Sequence, residues 1–346
     1  MCSQVLIWAL VNHILSKDEA MISNPEIYTI CAPFNDVDSS VELTAEEFKL
    51  FRHATEVLSA CLDFEEKYEL LLGNYISFEK TVVGFSVEEM TQFKWFADGS
   101  HYGDNFLERL TVCREVINFL TSSKMYVDQV KKDIRKCLGS EEEAADLVSK
   151  YTSQQYESLF EYRFITALRN HTQHYSQPIS EINYLSSSER KEDGKFFWNY
   201  SSRVSISKKL LSQNSKFPKK VLAEIEEKVD VGEAMRVYMA SMSYIHSTLR
   251  DHIQGAVDEA RATLVGACQR ISPDLRSTDA AFIQCFENKE AESKKKPREK
   301  HLVLLAHDDI RIRLQQKNLD ISNLARRGVT NSHRRPPSNP IKKILF

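Results

Sequence analysis

Residues 160–175 read FEYRFITALRNHTQHY. Phe160, Phe164 and Leu168 recur at steps of four, with Tyr156 one step earlier and Leu159 and Ile165 alongside, which is the spacing of one apolar helix face. The last turn changes character. Arg169, Asn170, His171 and His174 arrive together, and Ser176-Gln177-Pro178 ends the segment. A guanidinium is a permanent cation with a fork of donors suited to phosphate, and an imidazole moves protons near neutral pH. On a helix Asn170 and His174 share a face, so the amide can orient the ring. Arg169 lies roughly 140° around from His174, and the two converge only if the helix end bends or a groove spans both. Cationic side chains at a helix C-terminus also complement its carbonyl-rich end, and from spacing alone dipole complementation is the simpler account of the cluster.

Outward from this helix the pattern stays helical. Thr44-Ala45-Glu46-Glu47 has capping-box spacing, and an apolar period runs from Leu50 to a stop expected at Gly73-Asn74. Phe106, Cys113, Leu120, Val127 and Ile134 recur every seven residues and predict a long helix ending at Gly139, compatible with a break at 121–123. Ser140 starts a short helix. Val221 to Val229, then Met235, Met239, Met242, Ile245, Leu249 and Ile253, predict the remaining helices. Phe196-Phe197-Trp198 and Val204-Ser205-Ile206 suggest one or two short strands. The expected fold class is therefore all-α, a helical bundle with a small β excursion near residues 180–210. Residues 1–40 read as irregular, 41–103 as N-terminal helices, 104–270 as the helical core, and 271–346 as a charged linker and flexible tail with a short helix across 302–326.

Composition bounds the rest. The chain has 346 residues, 42% hydrophobic and 27% charged, which suits a globular protein of one or two domains. Only 10 Gly and 9 Pro disfavour a turn-rich β-sandwich. Seven scattered cysteines without a C-x-x-C pair argue against a disulfide framework or zinc site and for a reducing, cytoplasmic setting. The apolar run Val5–Leu15 is too short to span a bilayer and a poor signal peptide, so no membrane partner is expected. The net charge of −3 hides a tail from Lys294 onward carrying 14 Lys and Arg against 4 Asp and Glu. An acidic body leaves any attraction for nucleic acid to a local cleft or to that tail.

The hexapeptide Arg169-Asn170-His171-Thr172-Gln173-His174 resembles the signature of the HEPN superfamily, the nucleotide-binding domains of higher eukaryotes and prokaryotes. That signature is an Arg, four to six residues, then a His, with a polar residue, often Asn, after the Arg. The wider phrase resembles the motif helix of large uncharacterised bacterial HEPN-like proteins. The resemblance covers at most residues 104–260 and is sharp over about fifteen. It implies a four- or five-helix bundle, often paired as a homodimer, and metal-independent RNA cleavage of a toxin or phage-defence type. It casts His174 as general base or acid, Arg169 as the contact to the scissile phosphate and Asn170 as the orienting residue, with His171 and Gln173 as substrate contacts. No cofactor is implied; RNA is the expected partner, alongside a neutralising antitoxin or other protein. Many members of the family do not cut RNA, so a non-catalytic helical interaction or nucleotide-binding module is the second expectation.

Other clusters say less. His171-x-x-His174 has no acidic residue or Cys beside it to complete a metal site. His246, Arg250 and His252 flank the Met line, and His246 reads as a satisfied residue at the core's edge. Lys124 and Asp128 read as an i,i+4 ion pair. No phosphate-loop, dinucleotide, zinc-protease or hydrolase motif is present in the sequence.

Overall fold

The computed structural model describes residues 26–32, 40–91, 101–271 and 280–329. The run at 5–15 and the C-terminal RRPPSNP segment lie outside them. The elements are β1 (Ile27–Cys31), β2 (Val41–Leu43), α1 (Ala45–Thr91), α2 (His101–Leu138), α3 (Glu141–Ser158) and α4 (Phe160–His174). Then follow β3 (Glu181–Arg190), β4 (Phe196–Ser207), α5 (Lys208–Ser212), α6 (Lys219–Glu224), β5 (Lys228–Asp230) and α7 (Val231–Ile271). The last are β6 (Ala280–Phe286), α8 (Lys289–Ser293), β7 (Glu299–Leu304), α9 (Leu305–Lys317) and a 3-10 turn at Leu324–Arg326.

The all-α expectation is corrected. The described residues are 68% helical but 17% strand, and they form antiparallel sheets of four and three strands. The three-stranded sheet includes the 180–210 stretch. The four-stranded sheet, ordered β2-β1-β6-β7, uses residues expected to be irregular, helical or linker. The segment expected as linker and tail holds β6, β7 and α9. The helix expected across 302–326 is a strand to Leu304 and a helix from Leu305 to Lys317.

Helix limits follow local chemistry where the signals are local. Glu47 N–H donates to Thr44 Oγ1 (3.1 Å) and Thr44 N–H to the Glu47 carboxylate (2.8 Å), closing the capping box at the start of α1. Ser140 Oγ accepts from Glu143 N–H at the start of α3. Gly139, at φ +73, ends α2 in the left-handed conformation that glycine tolerates, its N–H reaching Arg135 O at 2.8 Å. The Gly73-Asn74 stop does not operate. α1 continues because Leu71, Tyr75 and Phe78 keep a buried face in register on either side of it. α2 shows no break at 121–123, where Ser122 and Ser123 hydroxyls turn back to the Phe119 and Leu120 carbonyls.

The chain forms two compact units, each assembled from alternating segments. The first draws on 1–70, 124–149 and 248–319. Here α1 and α7 run antiparallel, since Glu47 pairs with Arg270 and Glu65 with Arg250. α1 and α2 are antiparallel too, with Cys137 Sγ against Val57 O and Lys67 against Asp133. The sheet joins through Phe48, whose ring contacts Tyr28 and His301. Ile30 and Ile283 face each other across β1 and β6 with no exposed surface. Arg311, 2% exposed, is held by Asp308, which also takes Arg261.

The second unit draws on 71–123, 150–247 and 320–346. Tyr75, Phe119, Tyr238 and Tyr162 form a chain of ring contacts, the last pair stacked at 4.8 Å. Arg236 grips Glu79 with two nitrogens. The β3–β4 ladder is buried only at its base, around Val204–Ile206. Beyond Leu185 β3 is exposed; on β4 Asn199 and Tyr200 are half-buried, and Phe196, Phe197 and Trp198 are exposed. The hairpin turns through Gly194 at φ +79.

Candidate functional site

α4 fixes the candidate residues. Tyr162, Phe164, Ile165, Ala167, Leu168 and His171 form its buried face. His171 continues the apolar line of Phe164 and Leu168, and only 1% of it is exposed. The helix closes on the same residue: the Tyr175 and Ser176 N–H groups both reach His171 O, at 2.8 and 3.2 Å.

The His171 ring sits against Tyr175 and Phe217, with centroids 5.3 and 6.0 Å away. Asn214 Nδ2 lies 3.1 Å from Nδ1. An amide nitrogen only donates, so Nδ1 accepts and the proton resides on Nε2. The orientation of Asn214 is itself fixed, because its Oδ1 accepts from Lys216 N–H at 3.0 Å. Nε2 is buried and has no hydrogen-bond partner among the described residues. Burial pulls the imidazole below the ordinary histidine range.

Around this ring opens a pocket of about 680 Å³. Asn170, His171, His174 and Tyr175 line it from the end of α4, with Asn214, Lys216 and Phe217 from the loop after α5. No carboxylate lines it. Asn170 and His174 are exposed, and Lys216 makes no ion pair with a described residue. The loop is tied to the helix end by the Tyr175 hydroxyl, which donates to Gln213 O at 2.9 Å.

Arg169 stands apart. α4 stays helical through His174, so the end does not bend and the half-turn offset remains. Arg169 is not among the pocket's lining residues. Its Nη1 donates to Asn170 Oδ1 at 3.0 Å, while its Nε is buried and unpartnered among the described residues. The guanidinium therefore reaches the pocket only through Asn170, a lining residue whose Oδ1 it engages. Gln173 is exposed and is likewise not among the lining residues.

Of the five residues singled out in the sequence, the structure gathers Asn170, His171 and His174 and leaves out Arg169 and Gln173. Sequence reasoning missed Asn214, Tyr175 and Lys216. Asn214 had a faint signal, as an Asn at a turn before Pro218, but nothing in the sequence tied it to His171. Among the described residues no group of three or more His, Cys, Asp or Glu is placed to hold a metal ion, and no helix is long and apolar enough to cross a membrane. His246 is buried. Lys124 and Asp128 form their ion pair. Comparison of the chain with family models, curated proteins and solved structures gives no match.

Proposed function

We propose that the pocket at the end of α4 binds a phosphodiester of RNA and cleaves it without a metal. The observation that carries this reading is a carboxylate-free pocket lined by His174, Asn170 and Lys216 in a chain with 49 acidic residues. One lysine and two amides without a facing carboxylate favour an anionic ligand. His174 takes the 2′-hydroxyl proton as that oxygen attacks phosphorus. The P–O5′ bond breaks, and the departing 5′ oxygen takes a proton from water at the open mouth. The products carry a 2′,3′-cyclic phosphate and a 5′-hydroxyl. Asn170 and Lys216 stabilise charge on the phosphate, and Arg169 orients Asn170. The resemblance of residues 169–174 to the HEPN signature supports the same chemistry.

A second reading, a nucleotide-binding module without catalysis, is favoured by one observation: Arg169 is engaged by Asn170 and does not line the pocket. Digestion of RNA in EDTA separates the two. Wild type cuts and leaves cyclic phosphate ends, while His174→Ala does not cut. Binding without cutting by wild type selects the second reading, and equal cutting by His174→Ala removes His174 from the mechanism.

A further inference from the structure

A second pocket adjoins the first, with Gln213 of the Tyr175–Gln213 bridge in its wall. Its volume is about 360 Å³, and Arg109, Lys209, Ser176, Gln177, Ser180 and Gln213 are among its walls. The two pockets are joined by continuous chain on both sides. His174 and Tyr175 line the first and Ser176 and Gln177 the second; Asn214 lines the first and Gln213 the second. The second pocket also lacks any carboxylate. Neither Arg109 nor Lys209 makes an ion pair with a described residue. Arg109 has only the Phe106 ring beneath it, at 5.7 Å. Arg163, Arg236, Arg250 and Arg261 are by contrast each held by a carboxylate. Two cations without an ion-pair partner among the described residues line this recess together with Ser and Gln side chains, an arrangement that favours an anion.

We propose that this pocket is a second phosphate subsite, so that the ligand is a nucleic-acid strand laid across the Tyr175–Gln213 bridge with neighbouring phosphates in the two pockets. The choice of RNA strand rests on the function proposed above; the anion site at Arg109 and Lys209 does not. A free nucleotide fills one pocket and a strand fills both. Arg109 supplies a planar fork to its phosphate and Lys209 a point charge. Each further phosphate bound along a single strand releases condensed counterions, so the salt dependence of binding steepens with every one.

The test is equilibrium binding of 2′-O-methyl oligonucleotides, which cannot be cleaved, in EDTA at several salt concentrations. A mononucleotide, a dinucleotide, a hexanucleotide and a nucleoside triphosphate are compared. Wild type binds the hexanucleotide at least ten-fold more tightly than the mononucleotide. Arg109→Gln with Lys209→Gln loses at least ten-fold more for the hexanucleotide than for the mononucleotide, and its salt slope falls. Arg109→Lys keeps most of the slope, which separates charge from folding damage. Hexanucleotide binding by the double variant equal to wild type overturns the second subsite and leaves the catalytic pocket standing. A length dependence that requires Arg109 and Lys209 in a protein that cuts nothing keeps the subsite and removes the nuclease. A triphosphate that binds as tightly as the hexanucleotide puts several phosphates in one pocket and overturns the strand assignment.

Discussion

The side-chain amide of Asn214 donates to Nδ1 of His171 across 3.1 Å, and this bond determines which ring nitrogen holds the proton. The contact thereby disfavours the cation: protonation of Nδ1 would set an N–H against an NH2. Asn214→Asp reverses the logic, since a carboxylate accepts from Nδ1–H and favours the cation. The titration midpoint of His171, followed by NMR of its ring, is expected to rise by roughly one unit or more. An unchanged midpoint would mean the contact does not hold in solution.

The same burial gives a pH dependence of stability. His171 has its pKa lowered in the fold, whereas an unfolded chain titrates near ~6.5. Above that value both states are neutral there and nothing changes. Below it the unfolded chain binds a proton that the folded one resists, so stability falls, with a slope of at most about 1.4 kcal/mol per pH unit, and levels off below the folded pKa. Denaturation midpoints between pH 7.5 and 5.5 should decline less in His171→Phe than in wild type. Parallel curves would assign the acid sensitivity to other groups.

Arg169 and His174 should differ in kind, because only His174 faces the pocket. Under the proposed RNA cleavage, His174→Ala is expected to lower kcat by about 10²–10⁴ with little change in KM. Arg169→Ala frees Asn170 and should raise KM more than it lowers kcat. Steady-state kinetics on a short RNA reads the split, and an identical loss in both parameters for the two variants would place them in one catalytic unit.

Asp308 is the hub of a buried ion cluster, with Arg311 and Arg261 on its two oxygens and Arg261 also reaching Asp309 at 2.8 Å. Asp308→Ala strands Arg311 without its carboxylate and is expected to cost about 3–5 kcal/mol. Arg311→Met should cost clearly less, since Arg261 still neutralises Asp308 and the thioether refills the space. Hydrogen exchange along α9 reports on this unit directly. The opposite order of the two variants would show that the arginine, not the carboxylate, organises the cluster.

Gly194 turns the β3–β4 hairpin in the left-handed region. An added Cβ meets only the tip of Arg190, at 4.0 Å, so space is not the obstacle. Gly194→Ala should therefore cost about 1–2 kcal/mol from backbone strain alone, seen as faster exchange of the Gly194 and Lys191 amides. Unaltered exchange would indicate that the turn relaxes to another conformation at no cost.

Legibility from sequence followed the range of the interactions. The capping box at Thr44, the start at Ser140 and the end at Gly139 are settled within a few residues and read correctly. Gly73 read as a stop because its neighbours suggested one, but Leu71, Tyr75 and Phe78 are packed, and packing outweighed the local signal. β1 was invisible for the opposite reason. IYTIC is five residues long, its near partner β2 has only three residues, and its main partner AAFIQCF lies far along the chain. At the site, the last turn of α4 was legible as chemistry. That His171 is packed could have been read from its place three residues after Leu168. That Arg169 lies off the pocket follows from an unbent helix end, which residue types alone do not reveal.

The pairing of Ile27–Cys31 with Ala280–Phe286 sets an order of events during synthesis. Roughly 250 residues separate the two strands, so a ribosome moving at about 5–20 residues per second takes on the order of 10–50 s to deliver the partner. Through that interval the first strand has only β2 beside it, and the edge meant for β6 is open to any nascent chain nearby. The second unit is likewise interrupted by segments of the first. Neither can be released by cutting the gene once. A fragment ending after α4 would contain the whole candidate motif and yet lack Asn214, Lys216 and the loop that shapes the pocket around it.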